Sequence, residues 1–184
     1  MKSLLVYCGS KPGDDPKFVE AATAVGREAA ARGWRLVYGG GELGLMGATA
    51  RAARDAGGDV YGVIPEFLVD VEGVLDGVKH DIVSTMHERK MRMFEAADAV
   101  LTLPGGIGTL EELIECLSWA RLKLHAKPII VLDLDGFWSP LRELFDHIVA
   151  RGFADAALAS DLVFVETVGQ IFPSAERRML ESVV

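Results

Sequence analysis

The sequence predicts an α/β fold: a doubly wound parallel sheet of about seven strands with helices on both faces. Short β-rich runs alternate with helical patterns along the 184 residues, and almost every run ends in a glycine or a proline. Such alternation is typical of parallel strands joined by right-handed helical crossovers. The length suits a single domain, so we expect residues 1–184 to share one sizeable core.

Seven strands and six helices follow from these patterns. The strands are predicted at 4–8, 35–38, 60–64, 80–84, 99–103, 129–132 and 162–165, and the helices at 16–32, 44–56, 87–97, 109–122, 138–150 and 168–181. Residues 65–79, PEFLVDVEGVLDGVK, carry no clear period. A connection of that length is typical of a functional lid or substrate loop, although a surface excursion is the alternative.

Composition excludes several classes of partner. The formal charge of −8 argues against a nucleic acid polymer, which calls for a basic surface, but leaves a single nucleotide possible. No apolar run has the length of a membrane span or of a signal segment. Cys8 and Cys116 lie far apart without metal-ligand spacing, so we expect reduced thiols in a cytoplasmic protein, with no zinc or other metal site.

A first glycine loop, YGGGELGLMG, follows the second predicted strand. Gly39, Gly41 and Gly44 satisfy the GxGxxG spacing of dinucleotide-binding loops. The signal is weak because such a loop normally follows the first strand, and the acidic residue expected about 20 positions later would be Glu66, just after a proline. The glycines serve either a ligand or tight turning and close helix packing, and the sequence leaves both open.

A second glycine loop, TLPGGIGTLEE at 102–112, ends the fifth strand. No lysine follows Gly108, so the loop is not that of a Walker-type nucleoside triphosphatase. Free backbone amides at the start of the helix near Thr109 nevertheless predict an anion site, with phosphate as the natural guest.

Two glutamates directly follow this predicted anion site. Helical periodicity gives an apolar face made of Leu110, Leu113, Ile114 and Leu117, and turns Glu111 and Glu112 away from the sheet. Acids in a first helical turn commonly complement the helix dipole, but here they also border the expected ligand crevice. Periodicity cannot choose between the two glutamates for a chemical role.

Positive charge is supplied by the segment STMHERKMRMF. His87, Arg89 and Lys90 stand at the start of a predicted helix, where cations oppose the helix dipole. An anionic ligand is a reason to place them there. We expect His87 to be a local hydrogen-bonding or capping residue.

Taken in order, CGS, GGGELGLMG, MHERK, PGGIGTLEE with SWARL, and KPIIVLDLDGFWSPL resemble the Lonely Guy (LOG) family of phosphoribohydrolases. The resemblance covers most of the chain. It implies a Rossmann-like homodimer that hydrolyses the N-glycosidic bond of cytokinin riboside 5'-monophosphates, and often of AMP, into free base and ribose 5-phosphate without a cofactor. Nothing identifies a pyridoxal phosphate lysine. A non-catalytic carrier of a nucleotide-like cofactor is the alternative, since fold does not fix function.

The resemblance also implies roles for individual residues. Arg89 and Glu112 take the catalytic positions of the family. The implied substrate-binding residues are Glu72, Lys90, Gly105, Gly106, Ile107, Gly108, Thr109, Leu110, Glu111 and Ser118. A carboxylate at position 112 would stabilise an oxocarbenium-like state and orient or deprotonate the attacking water. The fixed fork of an arginine at position 89 suits phosphate or ribose oxygens.

Overall fold

The computed structural model describes residues 1–181 and contains a single seven-stranded sheet in that range. All paired strands are parallel, in the order β4-β3-β2-β1-β5-β6-β7. The strands are β1 Ser3–Tyr7, β2 Arg35–Tyr38, β3 Val60–Pro65, β4 Lys79–Val83, β5 Ala99–Thr102, β6 Ile129–Leu132 and β7 Leu162–Val165. The predicted strands and the parallel α/β fold are therefore confirmed.

Seven α-helices connect and flank the strands in the described range: α1 Pro16–Ala31, α2 Gly44–Asp55, α3 Glu66–Glu72, α4 Met86–Glu95, α5 Ile107–Arg121, α6 Ser139–Ala150 and α7 Val168–Glu181. Helix α3 lies in the segment expected to be irregular, so that expectation was wrong. The helix has only seven residues and buries none of them, and Gly73 at φ 69° ends it. A helix that buries no side chain leaves no amphipathic period in the sequence.

The helices cover both faces of the sheet. Alternate β1 residues point to opposite faces, so Leu4 and Val6 pack with α1, α2 and α7, whereas Leu5 and Tyr7 pack with α4, α5 and α6. Helices α1 and α2 pack closely because Gly26 has no side chain, since a Cβ there would lie 2.2 Å from the Thr49 carbonyl oxygen. None of the helices within residues 1–181 combines the length and the apolar composition that crossing a membrane requires.

Strand order fixes where a ligand can enter. The chain winds from β1 outward through β2, β3 and β4, then returns to β5 on the other side of β1. The carboxyl ends of β1 and β5 are joined by a hydrogen bond from the Gly9 amide to the Pro104 carbonyl, at 3.1 Å. In open parallel sheets a crevice opens at this reversal of strand order, and ligands bind in it.

Candidate active site

A cleft of about 500 Å³ lies at this reversal point. Its walls come from the ends of three adjacent strands: residues 9–14 after β1, Gly39 after β2, and 105–109 after β5. Charged side chains also reach it from helices, namely Glu72 of α3, Arg89 of α4, and Glu111 and Glu112 of α5. The size is within the range of about 300 to 1,000 Å³ for small-molecule sites.

Helix α5 presents unoccupied backbone donors to the cleft. Its N-cap is Gly106, which provides no side-chain cap, and the first amide with a backbone acceptor is that of Leu110, which donates to the Gly106 carbonyl at 3.0 Å. Within residues 1–181 the amides of 107, 108 and 109 therefore have no protein acceptor. Three free donors and the positive end of the helix dipole suit this end of α5 to binding an anion.

The glycines of this loop differ in what they leave room for. A Cβ at Gly105 would lie 2.1 Å from the Thr109 hydroxyl oxygen, so that glycine is required for packing. A Cβ at Gly106 or at Gly108 would meet nothing within 4 Å, and neither residue has a positive φ. The protein's own packing does not require these two glycines, but a ligand that approaches the backbone does.

The first glycine loop has a different role, because the amide donors of its helix are already used. The amides of Leu45 and Met46, at the start of α2, donate to the Gly9 carbonyl at 3.0 and 3.4 Å. A Cβ at Gly44 would lie 2.3 Å from the Ser10 carbonyl carbon, and one at Gly39 would lie 2.1 Å from the Arg89 guanidinium. These contacts support the packing interpretation of GxGxxG over the dinucleotide one.

Arg89 is buried, with 6% of its surface exposed. Its Nε donates to the Val63 carbonyl at 3.2 Å and its Nη2 to the Gly39 carbonyl at 2.8 Å. The Nη1 group contacts only the Met86 Sδ, at 3.8 Å, within the described chain. Two carbonyls therefore fix the guanidinium at the cleft and leave one nitrogen available for a ligand.

The start of α4 is capped independently of Arg89. The Glu88 amide donates to the Thr85 hydroxyl at 3.1 Å, and the Ser84 amide donates to the Glu88 carboxylate at 3.2 Å. This reciprocal pair is a capping box displaced by one residue. The expectation of a capping His87 was wrong, because Thr85 occupies that position and His87 is exposed.

The structure separates the two glutamates that periodicity left equal. Both border the cleft, but Glu111 is exposed and pairs with Lys90, whereas Glu112 is half-buried and has no hydrogen-bond partner among residues 1–181. Loss of solvation raises the pKa of Glu112 to about 7, although Arg89 opposes the shift. A carboxyl group that titrates near neutral pH is suited to accepting and donating protons.

The expectation that Glu112 points away from the sheet was therefore wrong. The buried face of α5 contains Thr109, Leu113, Cys116 and Leu117, while Ile114, expected to be buried, is 38% exposed. The face is thus rotated by about one residue from the predicted one, which brings position 112 to its flank.

The remaining predicted site residues divide into two groups. Glu72 borders the cleft, and its Oε2 is buried without a hydrogen-bond partner in the described chain. Three predicted residues lie outside the cleft lining: Lys90 is bound to two carboxylates of α5, Leu110 packs partly buried against the core, and Ser118 is exposed. Their roles in substrate binding remain predictions.

Sequence reasoning missed several lining residues, among them Lys11, Phe18, Met46, Met93 and Phe137. Lys11 had a usable signal, because CGSKPG directly ends the first strand. Phe137 had none, since its contact with Phe18, at 5.8 Å between ring centroids, joins positions that are 119 apart in the sequence.

Together, the parallel sheet, the free helix amides, and Arg89 and Glu112 in one cleft define a Rossmann-like α/β protein with a candidate anion-binding cleft. A family model described as "Possible lysine decarboxylase" matches residues 46–174. A probable cytokinin riboside 5'-monophosphate phosphoribohydrolase of Oryza sativa subsp. japonica is 42% identical over 173 residues, which cover 93% of this chain and 75% of that protein. The chain belongs to this family, the Lonely Guy (LOG) phosphoribohydrolases.

One further relative and one solved structure are similar to this chain. A cytokinin riboside 5'-monophosphate phosphoribohydrolase of Rhodococcoides fascians is 41% identical over 169 residues, covering 91% of this chain and 85% of that protein. The molybdenum cofactor carrier protein of Chlamydomonas reinhardtii has a solved structure that aligns with a TM-score of 0.74 over 97% of this chain and 98% of that chain. At 21% identity the second likeness shows a shared fold alone.

Proposed function

We propose that this protein hydrolyses the N-glycosidic bond of cytokinin riboside 5'-monophosphates and of AMP, releasing the free base and ribose 5-phosphate. One observation carries the proposal: Glu112, with its pKa raised to about 7, borders the same cleft as the free amides of α5. The names of the relatives support the substrate class.

The distance along α5 between its free amides and Glu112 suits a single nucleotide. A helix rises about 1.5 Å per residue, so position 112 lies roughly 4 to 8 Å along the axis from the amides of 107–109. A 5'-phosphate and the anomeric carbon belong to the same ribose and span a distance of this order. With the phosphate at the amides, the anomeric carbon therefore lies near Glu112.

The chemistry follows from that placement. The Glu112 carboxylate takes a proton from water while the water oxygen bonds to the anomeric carbon. The bond from that carbon to the base nitrogen breaks, and the base leaves with the electron pair and gains a proton. The carboxylate also stabilises positive charge on the sugar ring, and Arg89 Nη1 binds a ribose or phosphate oxygen. Phosphate binding at the amides supplies energy that positions the reacting carbon.

The direct test is incubation of the protein with AMP, N6-prenylated AMP and other nucleoside monophosphates, followed by chromatography of the released base. Glu112→Gln should lower kcat by about 10² to 10⁴, because the amide cannot take the proton. Glu143→Gln is the control, since it removes an exposed carboxylate on α6, away from the cleft. Unchanged turnover in Glu112→Gln would refute the assigned role.

The same experiment separates the carrier alternative. Tight binding of a nucleotide by calorimetry, without product in the chromatogram, would favour a non-catalytic carrier over the hydrolase. Absence of NAD and NADP binding in the same calorimeter would exclude the dinucleotide interpretation of GxGxxG.

We also propose a single-domain homodimer in the cytoplasm. Exposed apolar side chains on α3 and α5, namely Phe67, Val71, Ile107 and Ile114, support an interface between copies of the chain. Cys8 and Cys116 are free thiols, which suits a reducing compartment. Sedimentation equilibrium tests the dimer, and imaging of a fluorescent fusion in the source cells tests the compartment.

A further inference from the structure

Lys90 lies on α4 directly after Arg89, and its ammonium group is turned to α5 rather than into the cleft. Its Nζ is 2.6 Å from Glu111 Oε1 and 2.9 Å from Glu115 Oε2, and its side chain is only 12% exposed. Because positions 111 and 115 are one helical turn apart, the two carboxylates lie on the same edge of α5. Both known partners of this cation are therefore acids, and both belong to α5.

The position of this bridge within the two helices is informative. Arg89 and Lys90 are consecutive on α4, and Glu111 and Glu112 are consecutive on α5. The contact that joins the helices is thus made by the immediate neighbours of the two proposed catalytic side chains. The bridge therefore lies next to both proposed catalytic side chains in the sequence.

We propose that Lys90 is a positioning residue of the active site: its ion pairs hold α4 against α5 and neutralise Glu111 and Glu115, the two carboxylates on either side of Glu112. The proposal rests on the proposed hydrolase function. It differs from the substrate contact that the family resemblance implies for Lys90, because the ammonium group is already held by Glu111 and Glu115 and lies outside the cleft lining.

The charges that surround Glu112 support this role of Lys90. After loss of solvation, which is the largest cause of the raised pKa, the charges of α4 and α5 act in opposite directions: Arg89 and Lys90 lower the pKa of Glu112, whereas Glu111 and Glu115 raise it. At the end of β1, Tyr7 and the following Cys8 also interact electrostatically with Glu112, and both stay neutral because burial raises their own pKa values.

Removal of the Lys90 charge therefore has a defined sign. Without this cation, Arg89 alone opposes Glu111 and Glu115, so the pKa of Glu112 rises further and less carboxylate is present at neutral pH. For charges roughly one helical turn apart near a protein surface, a shift of about 0.5 to 1 pH unit is expected.

The experiment compares Lys90→Met and Lys90→Arg with the matched control Arg92→Met. Arg92 is on the same helix and also binds two acids, Asp81 at 2.9 Å and Glu88 at 2.7 Å, but neither acid belongs to α5. The titration of Glu112 is followed by carboxyl ¹³C NMR, with Glu112→Gln to assign the signal, and the pH profile of kcat/KM for AMP is measured in parallel.

We expect Lys90→Met to raise both midpoints by about 0.5 to 1 pH unit, and Lys90→Arg and Arg92→Met to leave them near wild type. If Lys90→Met does not fold, Glu115→Gln in the wild-type background decides instead, because loss of that charge should lower the Glu112 midpoint. Addition of Glu115→Gln to a folded Lys90→Met variant should reverse part of its shift.

Two results would overturn the proposal. The first is a Lys90→Met variant with an unchanged Glu112 titration and a raised KM for AMP, which would indicate direct substrate contact. The second is an equal shift in Arg92→Met. If the protein hydrolyses no nucleotide, the proposed function fails, whereas the NMR titration still decides whether Lys90 acts on Glu112.

Discussion

Replacement of Gly108 by alanine separates the two roles that a glycine can have at the start of α5. Gly108 is the second residue of the helix, and a Cβ there would meet nothing within 4 Å. Alanine therefore loses no contact, and it restricts the unfolded chain. We expect stability to rise by up to about 0.5 to 1 kcal/mol, and Tm by up to about 4 °C for a chain of this size.

Function should change in the opposite direction. The added methyl group lies beside the free amides, where the phosphate is proposed to bind. Loss of one charge-assisted hydrogen bond costs about 1.5 to 3 kcal/mol, which corresponds to a rise in KM for AMP of about 10- to 100-fold. The unphosphorylated nucleoside, which lacks that contact, should be turned over as slowly by the variant as by the wild type.

Gly169 provides a matched control. It is also the second residue of a helix, α7, and a Cβ there also meets nothing within 4 Å. Gly169→Ala should therefore give a similar rise in Tm with unchanged kinetics. Calorimetry and initial-rate measurements on both variants are sufficient. Wild-type kinetics in Gly108→Ala would refute the phosphate site, and a lowered Tm would refute the open space around Gly108.

Three further variants test the geometry around Arg89 and Glu112, the proposed catalytic pair. Gly39→Ala places a Cβ 2.1 Å from the Arg89 guanidinium, so thermal unfolding should show a loss of about 1 to 3 kcal/mol together with a lower kcat/KM; a fully active variant would contradict this. Arg89→Lys leaves the Val63 or the Gly39 carbonyl unpaired and should cost about 1 to 3 kcal/mol by urea unfolding; unchanged stability would show that neither bond contributes. Glu112→Gln should stabilise the fold at pH 8 by about 1 to 3 kcal/mol, but not at pH 4. The pKa of Glu112 is about 7 in the folded state and has its ordinary value of 4.5 in the unfolded state, so ionisation of Glu112 at pH 8 destabilises the fold. Equal stabilisation at both pH values would exclude ionisation as the cause.

Sequence patterns predicted the strands well because strands buried on both faces read as short continuous apolar runs between turn residues. Helix α3 was missed for the opposite reason, since it lies on the surface and buries no side chain. The start of α5 was predicted at Thr109, whereas the helix begins at Ile107 with Gly106 as its cap. A glycine cap carries no side-chain signature, unlike the Thr85 cap of α4.

The candidate site was predictable where it depends on the backbone. Free amides follow from a glycine loop that opens a helix, so residues 105–109 could be identified locally. The distinction between Glu111 and Glu112 could not, because it depends on how far α5 is rotated against the sheet. The partners of Lys90 were equally hidden, since they lie on another helix more than 20 residues away.

Glu111 and Glu112 would repel an anion bound at the proposed phosphate site, and this repulsion is reduced differently for each of them. Glu111 is paired with Lys90, which partly offsets its charge at the proposed phosphate site. Glu112 keeps its charge only in part, because burial brings its pKa to about 7. A bound phosphate would raise that pKa further, since like charges disfavour ionisation. Substrate binding and ionisation of Glu112 would thus oppose each other, and the positive charge of Arg89, which borders the same cleft, limits this opposition more than that of Lys90.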